Sequence, residues 1–549
     1  MPSHPLLLRN DMIIATADQM KKLDEWAISE AGIPRLLLME NAGSAVASNI
    51  ASAFGKVRNC VILAGKGGNG GDGFVVARRL FASGSTVEVF LLASASELSG
   101  ETKTNFDILQ KLCIKVSEVL DPSSLITLEN SLKKCDVAVD AIFGIGFSGE
   151  VSGIAAQAID LINNSKKRVT EKKLYKIVSV DIPSGLNADS GDFGGHCVKA
   201  DLTVTFTYPK KGLLQFPSMD MVGKLVISDI GIPMTNPLDP VKKDVPGSAQ
   251  IKWGELDVIT PEYVANKIPQ RNVSAHKGTS GEVFIIAGSL GMMGAAAMAA
   301  RSALRVGAGL VRVGIPESLA VSFNSMVPEA IVIPLAQTKE GSISENALEK
   351  IIVFYKNSDA VAIGPGLSAN KETMQVILDF IKKASKEGKG VPIVADADAI
   401  NAISLDPAVM KVAKNLILTP HPGEMSRLVK MTVDEVQNKR VEVAKDLSLK
   451  SSSIVVLKGA RTVVASPEGK ILINLTGNPG MASAGMGDVL TGAIAGLLSQ
   501  GLSAFDAASC GVFLHGMAGD VVSSLKGEHG ISAGDLIEAL PYVIKSTLQ

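Results

Sequence analysis

The chain has 549 residues, 46% of them hydrophobic but only 4% aromatic, with 53 glycines and a formal net charge of -1; that length exceeds what one hydrophobic core usually supports, so two domains of enzyme size are expected. The near-neutral charge argues against a dedicated nucleic-acid binder, which carries a basic excess or stripe. Cys60, Cys113, Cys135, Cys197 and Cys510 lack CxxC spacing, which argues against a zinc site or a disulfide framework and for a reduced cytoplasmic chain, and no stretch reads as a signal peptide or membrane span.

Residues 15–54 predict two helices that meet around Gly32-Ile33-Pro34, the second with apolar residues at helical spacing. Residues 60–64 form a short apolar strand, 65–73 a Gly-rich turn (Gly65-Lys66-Gly67-Gly68-Asn69-Gly70-Gly71-Asp72-Gly73) and 74–83 a helix. Strand, Gly-rich turn and helix is the phosphate-binding arrangement of a Rossmann-like unit. Asn69 and Asp72 add side-chain oxygens that a plain dinucleotide turn does not need, so a cation or polar ligand group is expected as well as phosphate. Strands at 87–92, 136–143 and 176–180 continue the pattern, the last two reaching Gly144-Ile145-Gly146-Phe147-Ser148-Gly149-Glu150 and Asp181-Ile182-Pro183-Ser184-Gly185. Asp140 and Asp181 at these strand ends are ligand or acid–base candidates, or simply the residues that start the next helices.

Between Ile230 and Asn272 the pattern gives way to prolines and mixed charge, which places the domain boundary there. A second run of strands, at 283–287, 359–363, 392–395, 416–418 and 454–457, again ends in Gly, Asp or Pro turns, with an Ala-rich helix at 294–306. It closes on Gly477-Asn478-Pro479-Gly480 and Gly485-Met486-Gly487-Asp488, followed by an apolar helix through Leu498. Glycine N–H groups and a free helix start make an anion cradle. Asp488, in the first helical turn, is placed to take a proton from a hydroxyl that attacks a held phosphate.

The motifs Asn69-Gly70-Gly71-Asp72-Gly73, Val139-Asp140-Ala141-Ile142-Phe143-Gly144, Val180-Asp181-Ile182-Pro183-Ser184-Gly185, His276-Lys277-Gly278, Gly364-Pro365-Gly366-Leu367, Thr419-Pro420-His421-Pro422-Gly423-Glu424 and the 477–488 stretch occur in this order. Together they resemble the bifunctional NAD(P)H-hydrate repair family, in which an NAD(P)H-hydrate epimerase is fused to an ADP-dependent (S)-NAD(P)H-hydrate dehydratase. The resemblance implies an α/β chain of two domains, an N-terminal Rossmann-like three-layer sandwich at 12–235 and a C-terminal ribokinase-like α/β sandwich at 256–547, with a linker at 236–255. In the first domain it implies that Gly68, Asn69, Gly70, Gly71 and Asp72, together with Gly144, Ile145, Gly146, Phe147, Ser148, Gly149 and Glu150, hold the hydrated nucleotide. Asn69, Asp140 and Ser184 would bind potassium, and Asp181 would both touch substrate and carry a proton. In the second domain Ala295, Gly366, His421 and Asp488 would meet the hydrated nucleotide, while Lys458, Gly459, Ala460, Arg461, Thr462 and Gly487 would meet the AMP part of the co-substrate ADP. Magnesium would accompany ADP, Asp488 would activate the ring hydroxyl, and the chain would self-associate in the cytoplasm, with neither nucleic acid nor membrane as partner.

The sequence departs from the family pattern at four places. Gly68 replaces a first Asn, Met486 a Ser or Thr of the cradle, Ser368 a Gly, and Met292-Met293 a frequent Tyr-containing segment. The alternative reading is a ribokinase-like small-molecule kinase fused to a nucleotide-binding module, since the GxGD cradle is shared across such kinases; the Pro-His-Pro-Gly-Glu turn and the first domain argue against it.

Overall fold

After its exposed first residue, strand Asn59–Ala64 is apolar because both faces of its sheet are covered: Ile62 and Ala64 enter one core, Val61 and Leu63 another. The computed structural model describes residues 12–168, 175–232, 256–271, 280–387, 390–413 and 415–549. These fall into two compact units, residues 13–232 and 256–549. The linker expected at 236–255 and the His276-Lys277-Gly278 motif lie outside the described residues.

The first unit is built on a parallel sheet in the order Lys115–Glu118, Thr86–Leu91, Asn59–Ala64, Val137–Ala141, Lys176–Val180, Leu202–Phe206, Lys224–Ser228. Strand order reverses between Asn59–Ala64 and Val137–Ala141, and a crevice for ligands opens at the carboxyl ends of such a pair. The Gly-rich segment and the Gly144 loop follow these two strands. The expected pair of N-terminal helices is Ala17–Ser29 and Arg35–Phe54.

One expectation is corrected here. The segment 65–73 is not a turn throughout, because the helix begins at Gly68 and runs to Ala82, so Asn69 to Asp72 lie in its opening turns. Glycine is needed for close approach: a Cβ on Gly70 would stand 1.8 Å from the Gly65 carbonyl oxygen. Strands at Lys115–Glu118, Leu202–Phe206 and Lys224–Ser228 are additional to those expected. In Leu202–Phe206 the threonines that interrupt the apolar run, Thr203 and Thr205, are fully buried and bond to the Val222 carbonyl and the Asp181 carboxylate.

The second unit repeats the plan. Its sheet runs Leu256–Val258, Ile471–Ile473, Val463–Ala465, Ile454–Leu457, Leu416–Leu418, Ile393–Ala395, Ala360–Ile363, Glu282–Ile286, Leu310–Pro316, Ile331–Leu335, parallel except around the hairpin of Val463–Ala465 and Ile471–Ile473. Val283 and Ile285 face one core, Phe284 and Ile286 the other. The strand order reverses between Glu282–Ile286 and Ala360–Ile363. Over one face helix Met486–Ser499 crosses helix Met293–Arg305, tied by a 2.6 Å bond from Ser302 Oγ to the Val489 carbonyl.

Gly492 allows that crossing, because a Cβ there would lie 2.0 Å from the Ala299 carbonyl oxygen. Gly492→Ala is therefore expected to force the helices apart at a cost of about 1–3 kcal/mol. Calorimetry should show the second unit's transition several degrees lower, and an unshifted transition would contradict the packing.

Candidate active sites

At the switch point of the first sheet, four groups from three strand ends are joined by hydrogen bonds. Asn69 Nδ2 donates to the Phe143 carbonyl (2.9 Å), Phe143 N donates to Ser184 Oγ (2.9 Å), and Ser184 Oγ donates to Asp140 Oδ1 (2.5 Å). Asp140 Oδ2 accepts from Ser184 N at 2.9 Å and Ser179 Oγ at 2.8 Å. Asp140 is fully buried, and burial pushes its carboxyl above the usual range against the bonds from Ser184 and Ser179. Its donors, Ser184 Oγ and N, Ser179 Oγ and Ile142 N, are all uncharged. A hard cation with oxygen ligands would balance that charge, and Asn69 Oδ1, the Phe143 carbonyl, Asp140 and Ser184 Oγ are oxygens of the required kind. The residues fit a potassium ion.

Beyond this knot the 144–150 loop turns on a bond from Phe147 N to the Gly144 carbonyl (3.0 Å), and the Phe147 ring stacks on Phe143 at 4.6 Å. Ile145 packs against the core beneath, and the exposed Glu150 side chain lies against Gly194. Gly146, Ser148 and Gly149 are exposed along the loop.

Asp181 lies at the end of the neighbouring strand in a left-handed conformation, φ 63°. It is 7% exposed. Its Oδ1 accepts from Lys210 Nζ (2.6 Å), Thr205 Oγ1 (2.9 Å) and Phe206 N (3.4 Å). Asp72 is pushed well above the ordinary carboxylate range by burial, then by the charges of Asp181 and Asp24. Sequence reading missed Lys210, Thr205 and Asp24. The only signal was a Pro-Lys-Lys-Gly segment at 209–212, and nothing local tells its two lysines apart.

In the second unit the helix that begins at Met486 leaves its first N–H groups free, with Gly485 ahead of it at φ 87°. This is an anion site by geometry and dipole. Lys458 stands over it: a Cβ on Gly487 would lie 3.3 Å from Lys458 Nζ and 3.6 Å from Asp396 Oδ2. Asp396 fixes the lysine, with Oδ1 2.5 Å from Lys458 Nζ and Oδ2 accepting from Thr491 Oγ1 at 2.8 Å. Burial works against charge on Lys458, but Asp396 and Glu424 outweigh it and hold the ammonium above the ordinary lysine range. Asp488, three residues into the helix, is pushed up to about 7 by burial and then by Asp396, against the opposing Lys458. It is a carboxylate poised to exchange a proton near neutrality.

His421 caps the helix Pro422–Val429. Its Nδ1 accepts from Gly423 N (3.0 Å), and its own N–H donates to Glu424 Oε2 (2.8 Å). The imidazole pKa is lowered by burial, then by Lys458 and Arg427, which favours the neutral ring with its proton on Nε2. Gly366 and Ala295 are neighbours, since a Cβ on Gly366 would meet Ala295 Cβ at 3.1 Å. In the 458–462 loop Thr462 Oγ1 donates to the Gly459 carbonyl at 2.9 Å, and Gly459 and Ala460 are exposed. Arg461 turns inward to the Leu475 carbonyl, 3.0 Å away.

Two of the departures acquire a structural meaning. Met486 is buried in the core behind the helix, so its side chain leaves the cradle and backbone alone forms that part of it. Ser368 adopts φ 78°, a conformation that glycine reaches without strain. Asp396 was missed as the partner of Lys458, and Thr491 as the donor that fixes Asp396 in turn; the signal for Asp396 was its place at a strand end, shared with several other acids.

Comparison with known proteins agrees with this geometry. Residues 283–542 match the family model described as NAD(P)H-hydrate dehydratase, and residues 35–212 match the YjeF-related protein N-terminus. A bifunctional NAD(P)H-hydrate repair enzyme of Moorella thermoacetica is 40% identical over 539 residues, 97% of each chain. The chain belongs to the bifunctional NAD(P)H-hydrate repair enzyme family. Another member, from Thermofilum pendens, is 37% identical over 97% of both chains. The crystal structure of an ADP/ATP-dependent NAD(P)H-hydrate dehydratase from Bacillus subtilis is 32% identical and covers 53% of this chain and 98% of its own, with a TM-score of 0.45. By the spans of the two family models, the dehydratase half of the family corresponds to the second unit and the YjeF-related half to the first. Among the described residues no helix is long and apolar enough to cross a membrane.

Proposed function

We propose that the first unit exchanges the R and S epimers of NAD(P)H-hydrate and that the second returns the S epimer to NAD(P)H at the expense of ADP. The observation that carries this reading is Asp488 at the head of a glycine-led helix, with Lys458 held over the same N–H groups by Asp396.

In the second unit the Asp488 carboxylate takes the proton of the ring hydroxyl as that oxygen bonds to the terminal phosphorus of ADP. The bond to the bridging oxygen breaks and AMP leaves with the electron pair. N–H groups of Gly487 and Asp488, with Lys458, stabilise charge on the phosphoryl oxygens. Phosphate then departs from C6, a proton leaves the adjacent ring carbon, and the dihydronicotinamide double bond is restored. Hydroxide is a poor leaving group and phosphate a good one, which is why a dehydratase uses a nucleotide. Ala295, Gly366 and His421 line the hydrated nucleotide, while Lys458, Gly459, Ala460, Arg461, Thr462 and Gly487 take the AMP part. Magnesium bound with ADP would neutralise charge on the diphosphate, and Asp396 and Asp488, the carboxylates beside the cradle, would hold it.

In the first unit residues 68–72 and the 144–150 loop hold the substrate. Asn69, Asp140 and Ser184 would hold a potassium ion, which would supply positive charge beside the nucleotide phosphates. Asp181 moves the proton that accompanies loss and return of the hydroxyl at C6. Self-association and a cytoplasmic location complete the proposal.

Product analysis tests the reading. AMP and inorganic phosphate should form in equal amounts with the dihydronicotinamide; a stable phosphorylated product would make the protein a kinase instead. Asp488 must be ionised to act, and it is held up to about 7. The kcat/KM for dehydration should therefore rise with pH through a limb near 7 and level above it, whereas a limb near pH 4, the ordinary carboxylate value, would contradict a buried base.

A further inference from the structure

Lys210 is the most buried lysine described, 1% exposed. A buried ammonium persists only where it is well paired, and this one spends its donors on three acceptors: Asp181 Oδ1 at 2.6 Å, Thr205 Oγ1 at 2.9 Å and the Phe206 carbonyl at 3.1 Å. Thr205 Oγ1 in turn donates to the same Asp181 oxygen at 2.9 Å. Every side-chain donor on Asp181 therefore converges on Oδ1, and Oδ2 is left as the oxygen open to a substrate.

The backbone around Lys210 is clamped as well. Ala15 N donates to the Pro209 carbonyl (2.9 Å) and Lys211 N to the Ala15 carbonyl (3.1 Å), which ties this segment to the lead-in of helix Ala17–Ser29. That helix brings Asp24, and helix Gly68–Ala82 brings Asp72, into the field of the pair. Asp24 is pushed up to about 6 by burial, against the pull of Lys210, with Asp181 and Glu25 adding to the rise and Arg35 opposing it. Three carboxylates thus share one buried ammonium, and Asp181 is the one in direct contact with it.

We propose that Lys210 is a positioning residue of the epimerase centre: with Thr205 it clamps Oδ1 of Asp181 and so leaves Oδ2 as the proton acceptor. The inference rests on the reading of Asp181 as the proton carrier. It adds that the left-handed Asp181 backbone and the carboxylate rotamer are held in place by a lysine from 29 residues downstream.

The test uses the full-length protein and measures R-to-S exchange of NADH-hydrate from about pH 5 to 9, with dehydration of the S epimer by the same chain as the control for folding of the other unit. Lys210→Met should lower kcat for exchange by about tenfold or more with KM little changed. It should also move the acid limb of the profile upward by about one pH unit, because removal of the cation disfavours the carboxylate. Lys210→Arg, which keeps the charge, should return the limb toward its original position even if kcat stays low. An exchange rate and an acid limb both unchanged in Lys210→Met would overturn the proposal while leaving the Asp181 reading intact. Full activity in Asp181→Asn would instead remove the reading itself. Should Lys210→Met lose the first unit's melting transition, Thr205→Val carries the test. It takes one donor from Oδ1 and should raise the limb, and an unmoved limb there overturns the proposal.

Discussion

Asp488→Asn should abolish dehydration, with a loss of about 10²–10⁴-fold in kcat set by the value of a positioned general base, while R-to-S exchange in the same chain stays at its normal rate. The amide is nearly isosteric and preserves the helix start, so the anion cradle of Gly485, Gly487 and Lys458 survives and nucleotide binding should change little. The missing step is proton removal from the ring hydroxyl. Burial and the neighbouring Asp396 hold Asp488 near 7, so the native group both accepts a proton at neutral pH and can release it afterwards. Single-turnover release of AMP, read beside a nucleotide-binding titration, separates the two effects. A variant that bound ADP poorly but turned over at a normal maximal rate would show that Asp488 serves binding alone.

Asp181→Asn should have the mirror-image outcome. Exchange of epimers falls by about 10²–10⁴-fold, and dehydration of pure S epimer is untouched. The substitution also leaves Lys210 buried beside a neutral amide. Truncating one partner of a buried pair strands the other charge, at a cost of about 3–5 kcal/mol. The first unit should therefore lose stability as well as activity, and its calorimetric transition should fall while the second unit's does not. Unchanged exchange would remove Asp181 from the chemistry, and lost exchange with an unshifted transition would mean that the Lys210 pair contributes less to folding than its burial implies.

Much of this architecture was legible because apolar strands that end in glycine or aspartate announce a parallel sheet and its ligand edge together. Residues 60–64, 176–180, 359–363 and 392–395 were readable for that reason, and so was the helix behind Asp488. Leu202–Phe206 was not, because its threonines break the apolar run while serving buried acceptors. The helical start at Gly68 was hidden by composition, since four glycines within six residues read as a turn until the packing they permit is known. Candidate acids were visible as residues at strand ends. Their partners were not, since Lys210 and Asp181 are 29 residues apart and Lys458 and Asp396 are 62 apart, and only the fold brings them together. Met486 shows the reverse error of expecting a side chain to face the cradle because its neighbours do, when it is buried in the core behind the helix.

The most direct test of the central claim is a single progress curve. The purified protein is given a mixture of R and S hydrated NADH with ADP, and the return of dihydronicotinamide absorbance is followed to completion. Full recovery, beyond the S fraction and faster than the mixture epimerises by itself, is the predicted result, because one chain supplies both the exchange and the dehydration. Recovery that stops at the S fraction would contradict the epimerase assignment of the first unit, and no ADP-dependent recovery would contradict the assignment of the second.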